Sequence, residues 1–311
     1  MLRSPQTQNC QDDGNSRPHG GQRGAYLVGR TIVLALFVLP IGYVAEILSV
    51  AIHEILGHGL SAVLLGGSFS GFVLKWDAMG WAYSALPATA PLLHHVLYLA
   101  SGVIATTVCG LTLFGLVFLF RKRLDIQLAL LVVSFICLMD GIPYVLWNAY
   151  HPVPPGDIGW IIALSCGQRV PEASAIRWAL LVVGTLLFAG TTFYFSALVF
   201  IRMEAMILGG GQFTGKSRVL ALFFLLALPG SVGWFTFDWD QLAPGIGLLP
   251  DVVGALSVIV VAALLFWYRP KLKHENRIHL ITWRHIVVSC TCLIATVIAL
   301  TFWFKDGVKW G

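Results

Sequence analysis

Two histidines and a glutamate stand together in an otherwise apolar run, His53-Glu54-Ile55-Leu56-Gly57-His58. Ionisable side chains inside a hydrophobic segment are costly to keep there, so a functional site is the default reading of such a trio. Neutral imidazoles bind divalent transition metals, zinc foremost, and a neighbouring carboxylate can take a proton from a water whose pKa the metal lowers towards ~7. The familiar zincin spacing is His-Glu-x-x-His, whereas one more residue intervenes here, giving His-Glu-x-x-x-His. On an ideal α-helix, at about 100° per residue, an i,i+5 pair lies roughly 140° apart, against about 40° for i,i+4. A single π-bulge returns His53 and His58 to one face, and Gly57 makes that local distortion cheap. Two other readings stay open on the residues alone. Glu54 and His58, already i,i+4, are then themselves the ligands, or the trio is a hydrogen-bonded polar cluster within a helical bundle and holds no metal.

The elements that must position this trio are membrane helices. Of 311 residues 57% are hydrophobic and only 11% charged, against roughly 25% charged in an average soluble domain, which excludes a soluble globule. The net charge of +5 falls in short clusters between apolar runs, Arg121-Lys122-Arg123 and the stretch from Arg269 to Arg284. That pattern sets membrane topology and meets lipid headgroups; it is not a nucleic-acid face. Windows of the roughly 20 apolar residues that a bilayer requires recur at 31–65, 92–120, 126–147, 177–201, 219–235, 252–268 and 285–304. The fold class is therefore an all-α polytopic membrane protein of about seven transmembrane helices, with a small interfacial strand segment after the first. That segment, 66–91, is glycine-rich and carries Phe69, Phe72, Trp76, Trp81 and Tyr83, residues suited to short strands at the interface.

The first apolar run is too long for one straight crossing and has no polar loop for two. Counting it as one crossing, kinked at Pro40 and Gly42, puts the tail, 121–125, 202–218 and 269–284 on the cytoplasmic side. The acidic loops with Asp77, Asp157, Asp238, Asp240 and Asp251 then lie outside, together with the C-terminus. The expectation is a multi-pass protein of the plasma membrane with a cytoplasmic N-terminus. Residues 1–24 read as a disordered cytoplasmic tail, 25–170 as the core that bears the metal site, and 171–311 as additional helices of unassigned role. Cys109, Cys137, Cys290 and Cys292 sit in apolar runs without CxxC spacing and read as packing residues. The stretch from Gly210 to Ser217 satisfies the P-loop pattern, but membrane helices flank it where a strand and an α/β domain are required, so no nucleotide partner is expected.

Over roughly the first 170 residues the order of features resembles the site-2 protease family of intramembrane metalloproteases. The His-Glu motif is followed by the glycine-containing segment, by Ala100-Ser101-Gly102 opening a helix, and by Asn148-Ala149-Tyr150-His151-Pro152-Val153-Pro154-Pro155-Gly156-Asp157. The last stretch is similar to that family's Asn-Pro-rich element with one residue inserted and Ile158 in place of glycine. The resemblance implies Zn2+ as cofactor, His53, His58 and Asp157 as its ligands, Glu54 as the catalytic acid/base, and Asn148 as a contact to substrate backbone or transition state. Asp140-Gly141 is the rival third ligand, since it preserves the Asp-Gly pair; the one-crossing topology favours Asp157. The activity implied is hydrolysis of peptide bonds in another membrane protein's helix. The competing classes are a transporter whose polar residues line an ion path, and a silent relative that binds partners without metal. His94-His95 is a further ligand source, and Glu46, seven residues before His53, a candidate support for its ring.

Overall fold

The computed structural model describes residues 20–76, 79–120, 122–141, 145, 156–167, 174–208, 281–304 and 306–310. The first apolar run is one unbroken helical rod: α1 (Gly20–Ala51), a π-helical segment (Ile52–Gly59) and α2 (Leu60–Leu64). α1 contains Pro40 and begins inside the stretch read as tail. Its apolar part, Val28–Leu64, has 37 residues, about 55 Å at 1.5 Å per residue, and does not turn back.

Three further helices are long and apolar enough to cross a bilayer. They are α3 (Leu92–Val117), α6 (Ser174–Leu208) and α7 (Trp283–Ala299), the last continued by a π-helical turn (Leu300–Phe304). Among the described residues the candidate spans thus number four, not seven. The expected spans at 219–235 and 252–268 lie outside these residues, and the one at 126–147 corresponds to α4 (Leu124–Met139), whose 16 residues fall short of a straight crossing. A short helix, α5 (Asp157–Cys166), precedes α6.

In a bilayer the solvent is as apolar as the side chains, so helices associate through close packing and internal hydrogen bonds. Both are present. Leu34, Phe37, Val38, Leu128, Leu131, Phe195, Val199, Met203 and Ile286 form a core shared by α1, α4, α6 and α7. The Ser134 hydroxyl donates to the Gly110 carbonyl (2.7 Å), tying α4 to α3 at a glycine. At one end of the bundle Arg123 holds the buried Asp125 through two bonds (3.0 and 2.7 Å), His285 reaches the same carboxylate (3.1 Å), and Arg202 donates to Gln127 (2.8 Å). The basic residues assigned to one side from loop charge therefore meet at one end.

The glycine-rich segment is the expected antiparallel hairpin, β1 (Ser68–Leu74) and β2 (Gly80–Ala85). A third strand, β3 (Val308–Lys309), comes from the far end of the chain and pairs antiparallel with the other edge of β1. Trp310 extends it: its backbone N–H donates to Ser70 (2.9 Å), and its ring packs on Phe69 and Phe72. Ile47, Phe72, Leu74 and Leu300 form a second core between this sheet, α1 and the last helix. Aromatic pairs contribute about 0.5–1.5 kcal/mol each beyond burial. We therefore expect Trp310→Ala to speed amide exchange across β1 about tenfold, a difference of ~1.4 kcal/mol, without changing exchange in α4; hydrogen-exchange mass spectrometry in detergent reads both.

Candidate metal centre

The π-helical segment answers the spacing problem. Its closing bond runs from the Leu60 N–H to the Ile55 carbonyl, five residues back, so residues at i and i+5 return to nearly the same face. His53 and His58 are accordingly neighbours, with ring centroids 4.9 Å apart, and both are buried, at 4% and 6% exposure. Glu54 stands with them: one ligand atom from each of the three lies within 4.8 Å of the others.

Glycine makes this geometry possible from the other side as well. A Cβ at Gly102 of α3 would overlap the His53 ring, and a Cβ at Gly57 would overlap the Gly102 backbone. The small-residue motif in α3 is thus a slot for the histidine-bearing helix, and the two backbones touch at a pair of glycines. Gly59 is in similar contact with the Phe69 ring, which seats β1 against the same segment.

Each imidazole is held by one nitrogen and offers the other. The Nδ1–H of His58 donates to the Tyr98 carbonyl (3.0 Å), and Nδ1 of His53 lies 2.6 Å from Asp140 Oδ2. Both Nε2 atoms turn towards Asp157, whose Oδ2 is 2.9 Å from that of His53 and 3.3 Å from that of His58. The site therefore brings two imidazole Nε2 atoms to one carboxylate oxygen. The donor set fits zinc: two nitrogens and one oxygen is a familiar zinc ligand set, and tetrahedral bonds of ~2.0–2.1 Å space ligand atoms about 3.3 Å apart.

Of the residues singled out in the sequence, the structure brings together His53, Glu54, His58 and Asp157. Asp140 is also present, on the opposite side of the His53 ring from Asp157. Asn148 lies outside the described residues. Glu46 does not reach His53; Asp140 takes that position, and Glu46 stands close enough to Asp140 for their charges to interact. His94 and His95, at the start of α3, are not in the cluster. The sequence reading missed two participants. The Tyr98 carbonyl carries no signal, because any residue has one. The steric role of Gly102 had a signal, a glycine beside Ala100 and Ser101, but its partner is 49 positions away.

The sheet borders the same site. The Lys75 N–H donates to the Met79 carbonyl (2.8 Å) at the turn, and the register continues Leu74 to Gly80, Val73 to Trp81 and Phe72 to Ala82. Antiparallel pairs alternate, so Gly80 and Ala82 turn their N–H and C=O groups away from β1. On that side the Ala82 N–H points at the Glu54 carboxylate. β1 lies between β2 and β3, so the edge of β2 that turns towards Glu54 is an outer edge of the described sheet.

Residues 26–148 match the family model for Peptidase M50B-like proteins, which is the site-2 protease family. The match covers most of the histidine-bearing rod, β1, β2, α3 and α4, and ends before Asp157. No curated protein and no solved structure matches the chain. The matched stretch is the part of the chain that bears the histidine trio, and four of the described helices are long and apolar enough to cross a membrane.

Proposed function

We propose that the chain is an intramembrane zinc metallopeptidase of site-2 protease type that hydrolyses peptide bonds in the helices of other membrane proteins. The observation that carries this reading is the convergence of the His53 and His58 Nε2 atoms on Asp157 Oδ2, with Glu54 beside them. His53, His58 and Asp157 hold the metal. Zinc bound there supplies polarisation of the scissile carbonyl and a lowered pKa for water. Glu54 takes the proton that water gives up as its oxygen adds to the carbonyl carbon, and passes it to the nitrogen as the C–N bond breaks, leaving a carboxylic acid and an amine. Asn148, from the resemblance, contacts the substrate backbone.

A substrate helix hides its own amides, so it must unwind before cleavage, and an unwound segment in an apolar setting needs backbone partners. The open edge of β2 beside Glu54 offers them in the manner of strand addition. Clustered loop charge favours a cytoplasmic N-terminus, and the plasma membrane is the location this reading proposes.

The test is cleavage of single-span reporter proteins by the purified chain in proteoliposomes. Activity should fall to background after zinc is stripped with a chelator and return on adding Zn2+. Zinc-dependent flux across the vesicle wall without any cleavage would sink the protease reading in favour of the ion-path alternative.

A further inference from the structure

The site contains a carboxylate that the proposed mechanism does not use. Asp140, at the end of α4, has only 15% of its side chain exposed, and its Oδ2 lies 2.6 Å from Nδ1 of His53. One imidazole cannot turn both of its nitrogens to a single ion. With the His53 Nε2 directed at Asp157 and the His58 Nε2 directed there too, the Nδ1 side faces away from any ion those atoms share. The geometry thus gives the two aspartates different work, although the sequence presented them as rivals for one role.

We propose that Asp140 is a positioning residue: it accepts the Nδ1–H of His53, fixes the tautomer that leaves Nε2 free for the cation, and through its charge strengthens Nε2 as a donor. A carboxylate on the remote nitrogen of a metal-binding histidine does both. The two histidines are then unequal. His58 is oriented by the neutral Tyr98 carbonyl, whereas His53 is oriented by a charged group on a different helix. A Cβ at Gly102 would overlap the Nε2 end of the ring, whereas Asp140 meets its Nδ1, so the glycine slot and the Asp140 bond act on opposite ends of one side chain. The inference rests on the metal reading above.

The experiment uses the full chain in detergent, stripped of metal and titrated with Zn2+ against a competing chelator of known affinity. Wild type, Asp140→Asn, Asp140→Ala and Asp157→Ala are run in parallel, with Co2+ absorption recorded for each. Asp140→Asn keeps an acceptor oxygen but loses the charge; it should still fill one site per chain, with affinity lowered about 10- to 100-fold. Asp140→Ala should bind more weakly again. The Co2+ spectrum of Asp140→Asn should be displaced from wild type, a change that a packing defect away from the ligands does not produce. Asp157→Ala should lose the stoichiometric site. Equal affinity and an unchanged spectrum in Asp140→Asn would overturn the proposal. So would loss of stoichiometric metal in the Asp140 variants with retention in Asp157→Ala, because Asp140 would then be the ligand. Failure of the metal reading looks different: wild type itself takes up no ion.

Discussion

Replacing Glu54 by Gln is expected to lower the rate of peptide-bond hydrolysis about 10²- to 10⁴-fold, the usual contribution of a general acid/base, with zinc content unchanged. The substitution is nearly isosteric, and an amide oxygen can still accept from the Ala82 N–H that faces Glu54. It removes the one property the mechanism needs, a carboxylate able to take and return a proton. Zinc should remain because the described contacts between His53, His58 and Asp157 do not pass through Glu54. The measurement pairs reporter cleavage in proteoliposomes with elemental analysis of the same preparation. The result also decides between the two ligand sets that spacing alone left open. If Glu54 and His58 were the ligands, Glu54→Gln would lose metal and activity together; if the trio were only a polar cluster, neither would be present to lose.

The clustering of His53, Glu54 and His58 was largely legible in the sequence, because these are rare residue types in such a setting. A glutamate and two histidines in an apolar run stand out against their background, and the single extra residue between the histidines demands a local change of helical pitch that the segment Ile52–Gly59 makes. Asp157 was reached through the order of motifs, and the structure seats it at both Nε2 atoms. The role of Asp140 was not legible, since an aspartate beside an imidazole looks the same in one dimension whichever nitrogen it faces. β3 was not legible either. Two residues, Val308 and Lys309, have no periodicity to read, and their partners Phe72 and Gly71 are more than 230 positions earlier. The charged loops illustrate the intermediate case: their sign indicated a shared side, but only the fold shows Arg123 and His285 on Asp125, and Arg202 on Gln127, at the same end of α4.

Gly102→Val is expected to abolish stoichiometric zinc binding although residue 102 can donate nothing to a metal. Any Cβ at that position would fall on the His53 ring, and the backbone of Gly102 is itself in contact with Gly57, so neither the side chain nor the helix behind it can give way cheaply. Overpacking of this kind costs about 1–3 kcal/mol when neighbours can adjust. Here the adjustment open to the protein is to move His53, and a displaced ring loses its contacts with Asp157 and Asp140. Gly102→Ala should weaken zinc binding and the branched valine should eliminate it. Gly115 supplies the control from the same helix: nothing lies within 4 Å of a Cβ placed there, and alanine is the better helix former by about 1 kcal/mol. Gly115→Ala should therefore bind zinc as wild type does and melt no lower. If Gly102→Val kept wild-type affinity, the slot between α3 and the π-helical segment would not be what holds His53, and the register of those two helices would have to be redrawn. If Gly115→Ala lost zinc as well, the loss at Gly102 would reflect a general intolerance of α3 to added bulk and not a contact with the ligand.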